Sequence, residues 1–175
     1  RFPRESIPMG NRILDRLKKH HQEKLGRLEK LRSRLGDGNA IRGRALFAAE
    51  KAKCISCHRV GDLGQAVGPD LTTIGANRSA TDLLESIVFP SASIVRDYST
   101  YQVLTLNGRA FSGILVSESN EAIQLQQASG KSVRILQSDI ERIDPGSVSI
   151  MPAGLEQALT EDELVDIVKY LQSLK

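Results

Sequence analysis

The feature that most restricts this chain is a five-residue run, Cys54-Ile55-Ser56-Cys57-His58, which holds the only two cysteines among 175 residues. Two cysteines cannot build the framework of a disulfide-stapled domain, which shows four or more. A structural zinc site takes four ligands; this run offers two thiolates, no second pair, and a histidine too close in sequence for the usual spacing. A redox-active dithiol would follow a strand in a βαβ unit, whereas the residues before Cys54 read as helix. What remains is C-x-x-C-H as covalent haem attachment. Two thiols about one helical turn apart reach the two vinyl groups on one porphyrin edge, and the adjacent imidazole lies under the metal. The bland alternative is a chance CxxC beside a solvated histidine, and a zinc or dithiol module stands behind both if haem proves absent.

Charge is divided along the chain. Residues 1–35 carry eleven Lys/Arg against four Asp/Glu, a net +7, so the remainder of a chain with overall charge +3 carries −4. A basic arm on a mildly acidic body argues against nucleic-acid binding, which wants basic residues across a folded face with aromatics among them. Aromatics make up 4% of the residues and Trp is absent, so the core must come from Leu, Ile, Val and Ala. The longest apolar run, Ala45 to Ala49, falls far short of the ~18 residues needed to span a bilayer, and no transmembrane segment is expected. With no initiator Met and no hydrophobic signal segment, a processed chain or an excised piece of a larger protein is expected.

Three regions follow from periodicity. Residues 11–35 read as one long helix, with Leu14, Leu17, Leu25, Leu28, Leu31 and Leu35 on a stripe that His21 completes. It reads as a linker or docking helix, with association through 11–35, rather than a true coiled coil; His20 and His21 read as surface residues. Residues 39–97 read as helices and loops. Asn39 caps a helix whose small-residue stripe (Ile41, Ala45, Ala48, Ala49, Ala52) runs to the cysteine motif. A Gly-rich loop from Gly61 to Gly75 follows, then a helix burying Leu83, Leu84, Ile87 and Val88 that Pro90 stops. From residue 98 to 144 the period changes to that of strands: residues 101–106, 111–116, 122–126 and 132–136, with Asn107-Gly108 as hairpin turn. This four- or five-stranded antiparallel meander holds no catalytic constellation and reads as a structural or docking module. Residues 145–175 return to helix, opened by the capping box Thr160-Glu161-Asp162-Glu163.

A haem needs a sixth ligand or an open site. The chain has two methionines, Met9 and Met151. Met9 sits in a stretch containing Pro and Gly outside any packed segment, whereas Met151 precedes Pro152 in the loop that enters the last helix. Met151 is therefore the candidate distal ligand.

Gly43-Arg44-Ala45-Leu46-Phe47, the cysteine motif, Gly68-Pro69-Asp70-Leu71, Met151-Pro152 and Val168-Lys169-Tyr170-Leu171 resemble class I c-type cytochromes, in the right order. From about Gly36 onward the chain more closely resembles the haem-binding domain of the Pirellula/Verrucomicrobium type. That resemblance includes Leu83-Leu84-Glu85-Ser86-Ile87 and the Asn107-Gly108-Arg109 hairpin. It implies one covalent haem c held by thioethers from Cys54 and Cys57, with His58 as proximal and Met151 as distal iron ligand. It further implies that the Pro69 carbonyl accepts a hydrogen bond from the His58 ring, and that the Gly43/Phe47 helix crosses the Tyr170/Leu171 helix. Such domains end large secreted proteins, so a redox partner protein or a fused dehydrogenase domain and a periplasmic or otherwise extracytoplasmic setting are expected.

The expected fold is a mainly α, cytochrome c-like core interrupted by a small antiparallel β subdomain, α+β overall, with an N-terminal basic helix. The expected division is 1–38 (basic helix), 39–97 with 145–175 (haem domain) and 98–144 (β insert). The expected function is electron transfer, with no catalysis by this chain itself. The alternative is a haem sensor or peroxidase-like domain with an open or displaceable sixth position. No histidine follows His58, which leaves a peroxidase without a distal base.

Overall fold

A computed structural model describes residues 6–175, with side chains from residue 10 onward. Helix α1 spans Ser6–Arg32, beginning and ending earlier than the expected 11–35, and Leu35 falls instead in a 3-10 turn, Leu35–Asp37. The backbone of Met9 is therefore helical, and its side chain lies outside the described residues. The leucine stripe divides in two. Ile13, Leu14 and Leu17 are exposed, whereas Leu28 and Leu31 are buried in the main core. The last turns of α1 are thus core rather than solvated linker. Lys24 reinforces this by pairing with the buried Glu156 at 2.9 Å, and Arg27 donates to the Leu159 carbonyl at 3.0 Å.

Helix α2, Ala40–Ala48, starts where expected: the Asn39 side chain accepts from the Arg42 N–H. Within α2 the buried face is Gly43 and Phe47; of the small-residue stripe Ile41 is 83% exposed, Ala45 and Ala48 are exposed, and Ala52, beyond the helix, is buried in the main core. The reason is the long-range crossing with α5, Glu161–Ser173, which approaches α2 on the glycine side. A Cβ at Gly43 would land on the Asp166 carbonyl oxygen, so the two backbones touch directly there. One turn on, the Phe47 and Tyr170 rings pack with centroids 5.6 Å apart. Short helices α3, Ile74–Asn77, and α4, Ala80–Val88, complete the helical layer. Ser79 and Asp82 form the capping box of α4, which buries Leu83, Leu84 and Val88 with Ile87 half-buried. Helix α5 carries the expected box of Thr160 and Glu163.

Strands β1, Arg59–Val60, and β2, Leu63–Gly64, make a two-residue ribbon after the cysteine motif. The main sheet lies between α4 and α5 in the chain: β3 Thr100–Thr105, β4 Ala110–Glu118, β5 Ala122–Gln126, β6 Ser132–Leu136 and β7 Ile140–Pro145. Every pairing is antiparallel, in the order β6-β5-β4-β3-β7. It is not a simple meander. β7 returns to pair with β3; because Ile140 to Pro145 interleaves charges with few apolar residues, the sequence pattern does not single it out. Val103, Ile123, Leu125 and Ile135 form a second, separate hydrophobic cluster on this sheet. The architecture is a mixed α+β arrangement.

Candidate functional site

The chain between α2 and β1 sets the geometry of the motif. Helix α2 ends at Ala48, six residues before Cys54, and Lys53 takes the left-handed conformation, φ +56°. That reversal starts a 3-10 turn, Cys54–Ser56, in which the Cys57 and His58 N–H groups both donate to the Cys54 carbonyl, at 3.2 and 2.8 Å. Both thiols are free and half-buried. Burial pushes the Cys54 thiol up to about 11, so the site keeps this sulfur protonated.

His58 is held by the loop that follows. Its Nδ1 lies 2.8 Å from the Pro69 carbonyl oxygen. A carbonyl only accepts, so Nδ1 is the protonated nitrogen and Nε2 carries the lone pair. Burial pushes the imidazole below its ordinary pKa, with the Pro69 bond opposing, and this keeps the ring neutral, the form that binds a metal. Gly68 lies flat against the ring: a Cβ there would stand 2.8 Å from His58 Cε1 and 3.1 Å from Nδ1. The Val67 and Gly68 N–H groups both donate to the Cys57 carbonyl, at 3.0 and 2.8 Å, tying the loop to the motif.

A polar cluster on the other side fixes the Pro69 carbonyl in turn. Asp70 Oδ2 accepts from Arg59 Nε at 2.9 Å, and Asp70 Oδ1 accepts from the Thr72 N–H at 2.8 Å. The Leu71 N–H donates to the Arg59 carbonyl at 2.8 Å. Hydrogen bonds from Thr72, then the Arg59 guanidinium, hold the Asp70 carboxyl down at about 2. So the residue after His58 and the residue after Pro69 are clamped together. Sequence reasoning singled out Pro69 but passed over Gly68, Arg59 and Asp70 as working parts. Glycine directly before proline was a usable signal for close approach; the Arg59–Asp70 pair, eleven residues apart on irregular backbone, left none.

The structure therefore gathers Cys54, Cys57, His58 and Pro69 into one turn and one loop. Met151 stands apart, half-buried in the loop between β7 and α5, its N–H donating to Ser149 Oγ at 3.2 Å, and it shares no hydrogen bond with that cluster among the described residues. The donor set fits a covalently attached haem: two unbridged thiols on one turn, and an imidazole whose free nitrogen is fixed by the partner of the other. It does not fit zinc, since no group of three or more His, Cys, Asp or Glu side chains among the described residues could hold a metal ion. No helix is long and apolar enough to cross a membrane.

No curated protein matches the chain. A family model described as Cytochrome c matches residues 40–105, from α2 through the whole attachment motif and Gly68-Pro69 to the end of β3, and stops short of Met151. Residues 40–105 are thus similar to a c-type cytochrome domain, and the cofactor that goes with the C-x-x-C-H motif of Cys54, Cys57 and His58 is a covalent haem c.

Proposed function

We propose that the chain is a one-electron carrier whose haem is bonded to Cys54 and Cys57 and ligated axially by His58 and Met151. The haem supplies a reversible Fe(III)/Fe(II) couple; the protein supplies its ligands and its surroundings. The observation that carries this reading is the 2.8 Å hydrogen bond from His58 Nδ1 to Pro69. It presets the tautomer and ring orientation an iron ligand needs, and it raises the basicity of the other nitrogen. A thioether in the sixth position closes the iron to exogenous ligands and favours the reduced state. The fold is then a cytochrome c-like core, with the five-stranded sheet as an insert between α4 and α5. The setting is extracytoplasmic, and the electron partner is a separate redox protein or a fused dehydrogenase domain.

Spectra of the haem-loaded protein test this. Low-spin bands in both oxidation states, a weak far-red sulfur-to-iron band in the oxidised form and slow carbon monoxide binding are expected. Fast carbon monoxide binding without the far-red band would move the function to a sensor or peroxidase-like domain.

A further inference from the structure

Between Gly146 and Leu155 no residue is buried, so packing does not hold the loop that carries Met151. Polar tethers hold it. The hydroxyl of Thr100, at the start of β3, donates to the Val148 carbonyl at 2.8 Å. The Ser149 N–H donates to Ser91 Oγ, on the linker after α4, at 3.0 Å. Thr100 is itself only 5% exposed, and its carbonyl accepts from the Gly146 N–H at 2.7 Å, so the sheet grips the loop at two successive points. Gly146 must lack a side chain for this, because a Cβ there would land on the Thr100 hydroxyl.

The same sheet reaches the proximal side. The turn between β5 and β6 passes close to Val67: a Cβ added at Gly130 would stand 3.7 Å from Val67 Cγ2. Val67 donates its N–H to the Cys57 carbonyl. A cavity of about 390 Å³ is lined by Thr100, by Gln127 to Ser129 before the β5–β6 turn and by Val148 to Ile150 of the Met151 loop. One hydrogen-bonded sheet thus grips the loop that bears Met151 and passes close to the loop that fixes His58.

We propose that the sheet is a positioning frame for the sixth ligand, with Thr100 as the latch that sets where the Met151 thioether stands. This rests on the axial-ligand reading above. A loop with no buried side chain has many alternatives open to it. Removing one net hydrogen bond shifts such an equilibrium by about fivefold. Without the Thr100 latch, the loop populates arrangements in which the thioether is off the iron, and exogenous ligands gain access.

The test compares haem-loaded parent, Thr100→Val, Thr100→Ser, Gly146→Ala and Met151→Ala by the far-red band and the rate of carbon monoxide binding, alongside thermal unfolding. Thr100→Val, which keeps the shape and removes the hydroxyl, should weaken the band and speed carbon monoxide binding by about fivefold. Gly146→Ala should do the same, and Thr100→Ser should restore parental behaviour. Normal band and ligand kinetics in Thr100→Val, with both altered in Met151→Ala, would overturn the latch while leaving the ligand assignment intact, even if Thr100→Val unfolds at lower temperature. Equal loss in Thr100→Ser and Thr100→Val would also overturn it, since the hydroxyl would not be the cause. A parent whose band and kinetics Met151→Ala leaves unchanged would overturn the ligand assignment and the latch together.

Discussion

Asp166, one turn into the buried face of α5, accepts hydrogen bonds from Arg42 Nε and Nη2 at 2.6 and 2.9 Å and from the Asn39 N–H at 2.7 Å. The carboxylate is 3% exposed and stands where α2 begins its crossing over α5. It therefore does two jobs at once, satisfying an orphan N–H at the start of α2 and neutralising the guanidinium that follows. Burial alone would push this carboxyl up; the bonds from Arg42 and Asn39 outweigh it and leave the pKa below the ordinary carboxylate range.

Asp166→Asn should cost about 1–2 kcal/mol at pH 7, since Arg42 remains largely in water and shares the loss with solvent. The carboxyl has a lower pKa folded than unfolded, so its contribution is complete above about pH 5 and is lost as pH falls through the depressed folded value. Urea unfolding at pH 7 and near pH 3 checks this. The gap between parent and variant should narrow on acidification; a constant gap would disprove the assignment.

Gly43→Ala places a methyl on the Asp166 carbonyl, and neither backbone can retreat without unpacking Phe47 from Tyr170. Overpacking of this kind costs about 1–3 kcal/mol, and the backbone contact puts this site at the upper end. The urea midpoint should fall with the slope unchanged, and haem should remain attached in the folded fraction.

Cys54→Ser and Cys57→Ser, made singly, should each leave haem attached through one sulfur, and the double variant should release it to acid–acetone. Intact mass measures each case. The bare polypeptide mass in the parent would refute covalent attachment.

The basic helix gives a third mechanical test. Removing residues 1–20 takes away only exposed side chains among those described and should leave stability within about 0.5 kcal/mol of the parent. Leu31→Ala, at a side chain with no exposure in the main core, should cost about 2–5 kcal/mol. Equal stability in both would mean that α1 does not dock.

Asp70→Ala removes the clamp between Arg59 and Thr72 and so loosens the Pro69 carbonyl that accepts from His58. A weaker hydrogen bond makes the imidazole a poorer electron donor to iron, so the reduction potential should rise. In the parent, a carboxyl held at about 2 stays ionised through the neutral range, and the Asp70 contribution should not vary between pH 5 and 8. Spectroelectrochemistry across that range reads both effects. A lower potential in the variant would contradict the role.

What could be read from the chain alone was local chemistry and local period. The C-x-x-C-H spacing is meaningful because all its groups lie within one turn, and the caps at Asn39 and Thr160 work because donor and acceptor are three residues apart. The strand alternation from Tyr101 to Leu136 had a buried face to enforce it, while β7, with little apolar surface of its own, was recruited by β3 and invisible until paired. The small-residue stripe was a false guide within α2, although its last member, Ala52, is buried. Periodicity shows that a helix has a face, but the partner decides which face is covered, and α5 comes from more than a hundred residues away to meet Gly43. The division of α1 into an exposed half and a buried half was settled the same way, by where the helical body ends. Tertiary structure alone decided the clamp of Arg59 on Asp70 and the latch of Thr100 on Val148, because hydrogen bonds between irregular segments leave no repeat in the sequence; only the folded backbone brings their donors and acceptors within reach.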